Sequence, residues 1–334
     1  MANPVPEAGF EVMLSDDTAV MQLPVRLAGN EAVAFKESCQ QLLQGSTIPK
    51  QIIFDFSKTT FIDSSGIGAL VSNHKSARGK EVELVLRGVL PQVMAVLEMT
   101  TLDKVLKFEQ VEGIKPPAVN RSQKQLPTTH PSVQSKVKRF LDIVGAIVGL
   151  GITSIVFIPI AIAIKLDSPG SIFFGQIRLG WMGKQFKIWK FRSMCVDAEN
   201  LKDGVPNIAA ADGKVFKNEN DPRITRVGRF LRKTSLDELP QFWNVLKGEM
   251  SLVGTRPPTP KEVDIYEVPE WQRLDVKPGM TGEWQVNGRG KNLNFEQIIK
   301  LDLKYQDNWS LAHDLKLIIQ TFLVVLRRTG DRLE

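Results

Sequence analysis

The chain has 334 residues, enough for two ordinary domains, and its 43 % hydrophobic and 24 % charged residues exclude a disordered protein. Two distant cysteines, Cys39 and Cys195, and three scattered histidines, His74, His130 and His313, exclude a disulfide framework and the common zinc sites, and they fit a reducing compartment. The formal charge of +6 is uneven: residues 1–114 carry 10 Lys/Arg against 14 Asp/Glu, the remainder 33 against 23, so the second part expects an anionic partner or presents a solvated basic surface.

The opening Met-Ala-Asn-Pro has no basic-then-apolar leader pattern, so no signal peptide is expected there. From about Phe10 to Gln110 the pattern reads strand, strand, helix, strand, helix, strand, helix. Gln51–Phe56 and Val82–Leu86 are short runs of β-formers, with helical stretches near Asn30–Gln44, Ser65–Ala77 and Val89–Met99. That alternation predicts an α/β layer structure. Residues 115–135 hold four prolines among polar residues and read as a flexible linker. The chain thus divides into a first domain over 1–114, the linker over 115–135 and a second domain over 136–334, with a membrane helix at about 140–166.

That helix rests on Ile143–Ile164, 22 residues without a charge, enough to cross a bilayer. Two features favour entry and return on one face. Lys136, Lys138 and Arg139 precede the run and Lys165, Arg178 and Lys184 follow it, so both flanks are basic. Pro159 also interrupts it and favours a kink. A straight span stays open. Further on, Val196–Asp221 reads as a polar loop, and Leu311–Leu326 as an apolar segment for a core or a membrane surface.

Two segments carry more specific signals. Phe61-Ile-Asp-Ser-Ser-Gly-Ile-Gly-Ala-Leu70 follows a buried strand and opens a helix, which Asp63, Ser64 or Ser65 can cap. Gly66-x-Gly68 lacks the third glycine of a dinucleotide fingerprint. The stretch resembles the STAS (anti-anti-sigma factor) family over roughly 100 residues. That resemblance implies an α/β STAS fold, a partner protein or kinase, and Ser64 as the position whose phosphorylation would change a docking surface. A passive protein-contact domain is equally compatible.

Thr234-Ser-Leu-Asp237-Glu238-Leu-Pro-Gln241 has the spacing of a capping box, Ser235 with Glu238, and so reads as a helix start. Arg223, Arg226, Arg229, Arg232 and Lys233 before it, and Lys247 and Arg256 after it, form a positive field. Carboxylates kept ionised there can hold Mg²⁺ or attack phosphorus, and arginines can grip phosphate oxygens. Six blocks resemble the bacterial sugar transferase family of monotopic polyprenyl-phosphate phosphoglycosyl transferases. They are Lys138–Asp142, Ser168–Gly180, Phe186–Met194, Thr225–Gln241, Met250–Pro257, and Lys277–Gly282 with Asn287-Gly-Arg289, and they span about 200 residues in family order. Two departures stand out: Ile158-Pro159 where members read Ser-Pro, and Gly254-Thr-Arg256-Pro257 where members read Gly-Pro-Arg-Pro.

The resemblance implies a mixed, mainly α, membrane-associated domain with a re-entrant helix kinked at Pro159. It implies transfer of a sugar phosphate from a UDP-sugar to polyprenyl (undecaprenyl) phosphate through a phosphosugar on Asp237, with release of UMP, at the start of exopolysaccharide, O-antigen or other glycan assembly. Glu238 would help hold Mg²⁺ beside Asp237 or handle a proton. Arg256 and Arg289, and less directly Lys190, Arg192 and Arg232, would grip phosphates. The expected place is the cytoplasmic face of the bacterial inner membrane, among its lipids. The oligomeric state, a homodimer included, is left open. A non-enzymatic, membrane-tethered STAS adaptor is the competing reading. No nucleic-acid partner is expected, for no recognised nucleic-acid motif accompanies the basic half.

Overall fold

The computed structural model describes residues 10–15, 17–109, 127–201, 204–205, 218, 221–288 and 293–330. The chain forms two compact units. The first is residues 1–129 together with 182–184 and 265–275; the second is 130–181, 185–264 and 276–334.

The first unit is an α/β layer. Its strands are β1 (Val12–Ser15), β2 (Thr18–Gln22), β3 (Arg26–Leu27), β4 (Gln51–Asp55), β5 (Phe61–Ile62), β6 (Glu83–Arg87) and β7 (Lys107–Phe108). Its helices are α1 (Gly29–Gln44), α2 (Ser64–Gly79) and α3 (Pro91–Met99). Five strands form one sheet in the order β1-β2-β4-β6-β7, antiparallel between β1 and β2 and parallel elsewhere; β3 and β5 form a separate parallel pair. The central strand β4 is apolar throughout its middle, with Ile52, Ile53 and Phe54 buried, as a strand covered on both faces requires. Phe35 of α1 meets Phe54 edge-on at 4.7 Å between ring centroids. Among the three candidate caps of α2, Asp63 does the capping: its carboxylate accepts from the Gly66 N–H at 2.9 Å. The two-residue strands β3, β5 and β7 are too short to show a period and escape sequence reading.

The second unit is mainly helical. It contains α4 (Pro131–Gln134), α5 (Lys136–Asp167), a hairpin of β8 (Phe173–Leu179) and β9 (Gln185–Phe191), α6 (Arg226–Thr234), α7 (Gln241–Lys247), β10 (Ser251–Val253), α8 (Pro260–Val263), β11 (Gly279–Thr281), α9 (Phe295–Asp307) and α10 (Leu311–Gly330). The described end of the linker therefore holds a short helix, α4, started by His130, whose ring accepts from the Ser132 N–H.

Helix α5 runs 32 residues, about 48 Å at 1.5 Å per residue, with Pro159 inside it. Lys138, Asp142, Ala146, Gly149, Thr153, Ile160, Ala161 and Ile164 form one buried stripe along its length. The opposite face exposes Phe140, Ile147, Ile155, Ile158, Ile162 and Leu166. Glycine makes the close packing possible: a Cβ at Gly149 would stand 2.4 Å from the Phe242 ring of α7. Polar pins fix the register. Asp142 accepts from the Ser251 hydroxyl and the Leu252 N–H, both at 2.9 Å. Lys138 donates to the Val253 carbonyl at 2.9 Å and pairs with Asp314 of α10 at 2.5 Å, while the Tyr305 hydroxyl donates to Asp314 at 2.9 Å. Three small cores follow: Ala146 with Phe186, Ile188, Val245 and Met250; Ile160 and Ile164 with Phe191 and Leu231; and Val253 with Val276, Tyr305 and Leu317.

Candidate active site

The acidic pair sits in the connection between α6 and α7. Thr225 starts α6, its side chain accepting from the Gly228 N–H at 3.0 Å. Gly228 is required there because a Cβ would overlap the Ser193 carbonyl oxygen at 2.0 Å. The helix ends at Ser235, whose backbone is left-handed at φ 57°, and Leu236–Glu238 make one 3₁₀ turn. Ser235 makes no capping hydrogen bond with its side chain, so the expected capping box with Glu238 does not form and the next helix, α7, begins at Gln241. The reason is steric. A cap needs extended backbone, and Ser235, one residue past α6, is already committed to closing that helix. The consequence is that Asp237 and Glu238 are carried on a tight turn, with Asp237 only 6 % exposed.

Cations meet this turn from two sides. Lys190, near the end of β9, pairs with Glu238 at 3.2 Å. Asn244 of α7 holds the hairpin in register, donating to the Lys187 carbonyl at 2.8 Å and accepting from the Trp189 N–H at 3.1 Å. Arg232 of α6 donates to the Ser193 hydroxyl at 2.8 Å. Burial pulls its guanidinium below the ordinary arginine value, and the Asp237 carboxylate, with Asp221 and Glu238, works the other way.

A second charged cluster forms around Glu262. Arg256 reaches its two carboxylate oxygens at 3.0 and 3.2 Å, and Arg178 of β8 lies 3.9 Å from one of them. Burial alone would raise the Glu262 carboxyl, but Arg256, the Thr259 N–H and Arg178 outweigh it and take it to about 2. Arg178 is brought down to about 10 by burial and by repulsion from Arg256, while Glu262, Glu199 and Glu238 oppose the fall. Arg178 thus feels both clusters. Its other bonds, to the Pro257 carbonyl at 2.9 Å and Gln176 at 2.6 Å, tie β8 to the segment that carries Arg256. That segment is placed by β10 and β11 running parallel at glycine-close distance: a Cβ at Gly254 would stand 2.2 Å from the Lys277 carbonyl oxygen.

The expected residues therefore divide. Asp237, Glu238, Lys190 and Arg232 belong to one charged neighbourhood, and Arg256 is linked to it electrostatically through Arg178. Arg192 has a different occupation: it is buried, and its guanidinium donates to the Pro169 and Ser168 carbonyls, the latter at 2.7 Å, clamping the turn after α5. Arg289 lies outside the described residues, as do residues 206–217 of the expected polar loop. Ser64 is in the first unit, fully buried. Sequence reading missed Arg178 and Glu262 as site residues. The signals were present: Arg178 stands inside a family block, and Thr259-Pro-Lys-Glu262 has the capping-box spacing that this time does form. Among the described residues no group of three or more His, Cys, Asp or Glu is placed to hold a metal.

Residues 133–328 match the model of the bacterial sugar transferase family and residues 10–113 that of the STAS domain. Galactosyl transferase CpsE of Streptococcus agalactiae is 52 % identical over 195 residues, which are 58 % of this chain and 43 % of that protein. The undecaprenyl-phosphate galactose phosphotransferase of Salmonella typhimurium is 46 % identical over 198 residues, 58 % of this chain and 41 % of that protein. Exopolysaccharide production protein ExoY of Rhizobium meliloti is 37 % identical over 198 residues, 58 % of this chain and 87 % of that protein. The matches to the first two thus span less than half of each relative. The family match covers more than half of the chain, which belongs to the bacterial sugar transferase family and carries a STAS domain ahead of its transferase region.

Proposed function

We propose that the chain transfers a sugar phosphate from a UDP-sugar to undecaprenyl phosphate at a membrane surface. The observation that carries this reading is Asp237, a carboxylate buried to 6 % exposure on a turn whose neighbourhood supplies Lys190, Arg232 and Arg178. Cations around an acid favour its charged form and offset its repulsion of an approaching polyanion. Relatives named for undecaprenyl-phosphate galactose transfer and for exopolysaccharide production support the substrate class.

In this reading a carboxylate oxygen of Asp237 attacks the β-phosphorus of the donor. The bond from that phosphorus to the bridging oxygen breaks, and UMP leaves with the electron pair. An oxygen of the lipid phosphate then attacks the aspartyl phosphosugar, giving the lipid-diphospho-sugar and freeing the carboxylate. Lys190, Arg232, Arg178 and Arg256 hold phosphate oxygens and offset charge as the bonds change partners. Two adjacent carboxylates suit Mg²⁺, which takes one or two such ligands and fills its other positions with water and phosphate oxygens. Asp237 and Glu238 would hold it, and it would supply neutralisation of the diphosphate.

The exposed apolar face of α5, from Phe140 to Leu166, is the surface that would contact lipid. Its buried stripe packs on the rest of the unit over nearly the whole helix, from Lys138 to Ile164. A helix held in this way fits re-entry on one face better than a free span. With UDP-sugars on the cytoplasmic side, that face is the cytoplasmic one of the inner membrane.

The test is purified full chain with Mg²⁺, undecaprenyl phosphate and a panel of UDP-sugars. UMP release with one donor, and a phosphosugar adduct on the Asp237 peptide after quenching, are expected. No release with any donor would return the chain to the adaptor reading.

A further inference from the structure

The loop that opens α2 is covered. Ser64 is 0 % exposed, and the groups that touch it come from two segments far along the chain, all within the first unit. Its backbone N–H donates to a carboxylate oxygen of Asp275 at 3.0 Å. Its hydroxyl lies 3.6 Å from the sulfur of Met182, itself fully buried and held at φ 57°. Gly68 faces the indole of Trp271 so closely that a Cβ would stand 2.5 Å from the ring. The same segment is tied to α1, where Lys36 pairs with Glu267 and Gln272 lies beside Gly29. Within the segment Arg273 donates to the Tyr266 hydroxyl at 2.6 Å, and Trp271, Arg273 and Leu274 are buried.

An acid at the start of a helix, an aromatic ring seated on a glycine and an ion pair at the edge are what a bound peptide supplies to a receptor. The geometry points to residues 265–275 as a built-in ligand of the Asp63–Gly68 loop, so that this face of the STAS domain is occupied by the chain's own acidic, aromatic segment and is not left open to a separate protein.

Two consequences follow. A modifying enzyme reaches Ser64 only when 265–275 lifts, and a phosphate there would set about two negative charges against Asp275 and Asp63, which keeps the segment off. The segment is also bracketed by site elements of the transferase region. Glu262, partner of Arg256, lies three residues before Ile265, and Asp275 runs through Val276 into β11, the strand paired with β10. Lifting 265–275 therefore loosens both supports of Arg256. The STAS domain acts as a latch on the transferase through a covalent path.

Hydrogen–deuterium exchange of the full chain in lipid nanodiscs tests the latch. Ser64→Glu is expected to raise exchange across 265–275 at least tenfold while β4 keeps its protection. Unchanged exchange there, with β4 protected, overturns the proposal. If Ser64→Glu also strips protection from β4, a second pair decides. Maleimide labelling of the Ser64→Cys thiol, read by peptide mass spectrometry, is expected to rise at least tenfold when Trp271→Ala is added; equal labelling with and without Trp271→Ala overturns the proposal. UMP release is read in parallel and should fall in Ser64→Glu. That arm alone rests on the reaction proposed above: an unmodified chain that releases no UMP sinks the reaction, and an unresponsive 265–275 sinks the latch.

Discussion

Asp275 offers a sharp physical test because it is a carboxylate beside another carboxylate. Burial raises it, the Asp63 charge raises it further, and the Ser64 N–H only partly offsets them, leaving it at about 7 against 3.8 in a free chain. Asp63 is raised as well, mainly by burial, against the Gly66 N–H and Arg26 among other groups. Between pH 3.8 and 7 the folded chain holds a proton on Asp275 that the unfolded chain has released. Stability therefore falls as pH rises through that window and stays low above it. A shift of roughly three pH units at 1.36 kcal/mol each is about 4 kcal/mol, and solvent screening of a partly open carboxylate brings this to about 2–4 kcal/mol. Asp275→Asn is nearly isosteric, cannot ionise and can still accept from Ser64. It should protect the amides of α2 and 265–275 by a factor of 30 or more at pH 8, relative to the unsubstituted chain at the same pH, and by less than tenfold at pH 4.5. Exchange with peptide resolution reads this directly. Equal protection of the two chains at pH 8, or a gain of one size at both pH values, would refute the electrostatic account.

Four other outcomes are expected. Asp237→Asn should lower UMP release at least about 10³-fold with an unchanged exchange profile, as loss of a nucleophile requires; substantial residual release would remove Asp237 from that role. Gly149→Ala should destabilise the second unit by about 1–3 kcal/mol through overlap with the Phe242 ring, while Gly151→Ala on the same helix, where a Cβ meets nothing within 4 Å, should be neutral or stabilising by up to about 1 kcal/mol, both read by thermal unfolding in nanodiscs. Lys138→Met should cost about 3–5 kcal/mol by leaving Asp314 buried without its cation, and adding Asp314→Leu should restore part of the loss in the same assay. Cysteines placed at the two ends of the Ile143–Ile164 run should label from the same side of sealed vesicles; labelling from opposite sides would establish a span.

Much of the fold was legible. The apolar runs around β4 and β6 and the helical periods of α1, α2 and α3 lie within a residue or two of where the sequence puts them. The limits of local reading show in two segments of the same spacing. Ser235-x-x-Glu238 and Thr259-x-x-Glu262 are the same capping signal on paper. The second forms, with Glu262 accepting from Thr259 and also gripped by Arg256. The first does not, because its serine must end α6, and α6 is anchored by contacts with Ser193 some 40 residues earlier. Arg192 misleads in the same way: a basic residue in a family block reads as a phosphate ligand, yet carbonyls at 168 and 169 take its guanidinium.

The sequence by itself determined the chemistry on offer: an acidic pair in a basic setting, an uncharged run long enough for a membrane, and an α/β domain opening on Asp63-Ser64-Ser65. Those are properties of composition, period and short motifs, which a chain carries before it folds. Only the tertiary structure decided which acid is buried, that Arg178 links Glu238 to the Arg256–Glu262 pair, and that residues 265–275 return across some 200 positions to lie on Ser64. Burial and charge coupling depend on distances through space, and distances between residues far apart in sequence exist only once the chain has packed.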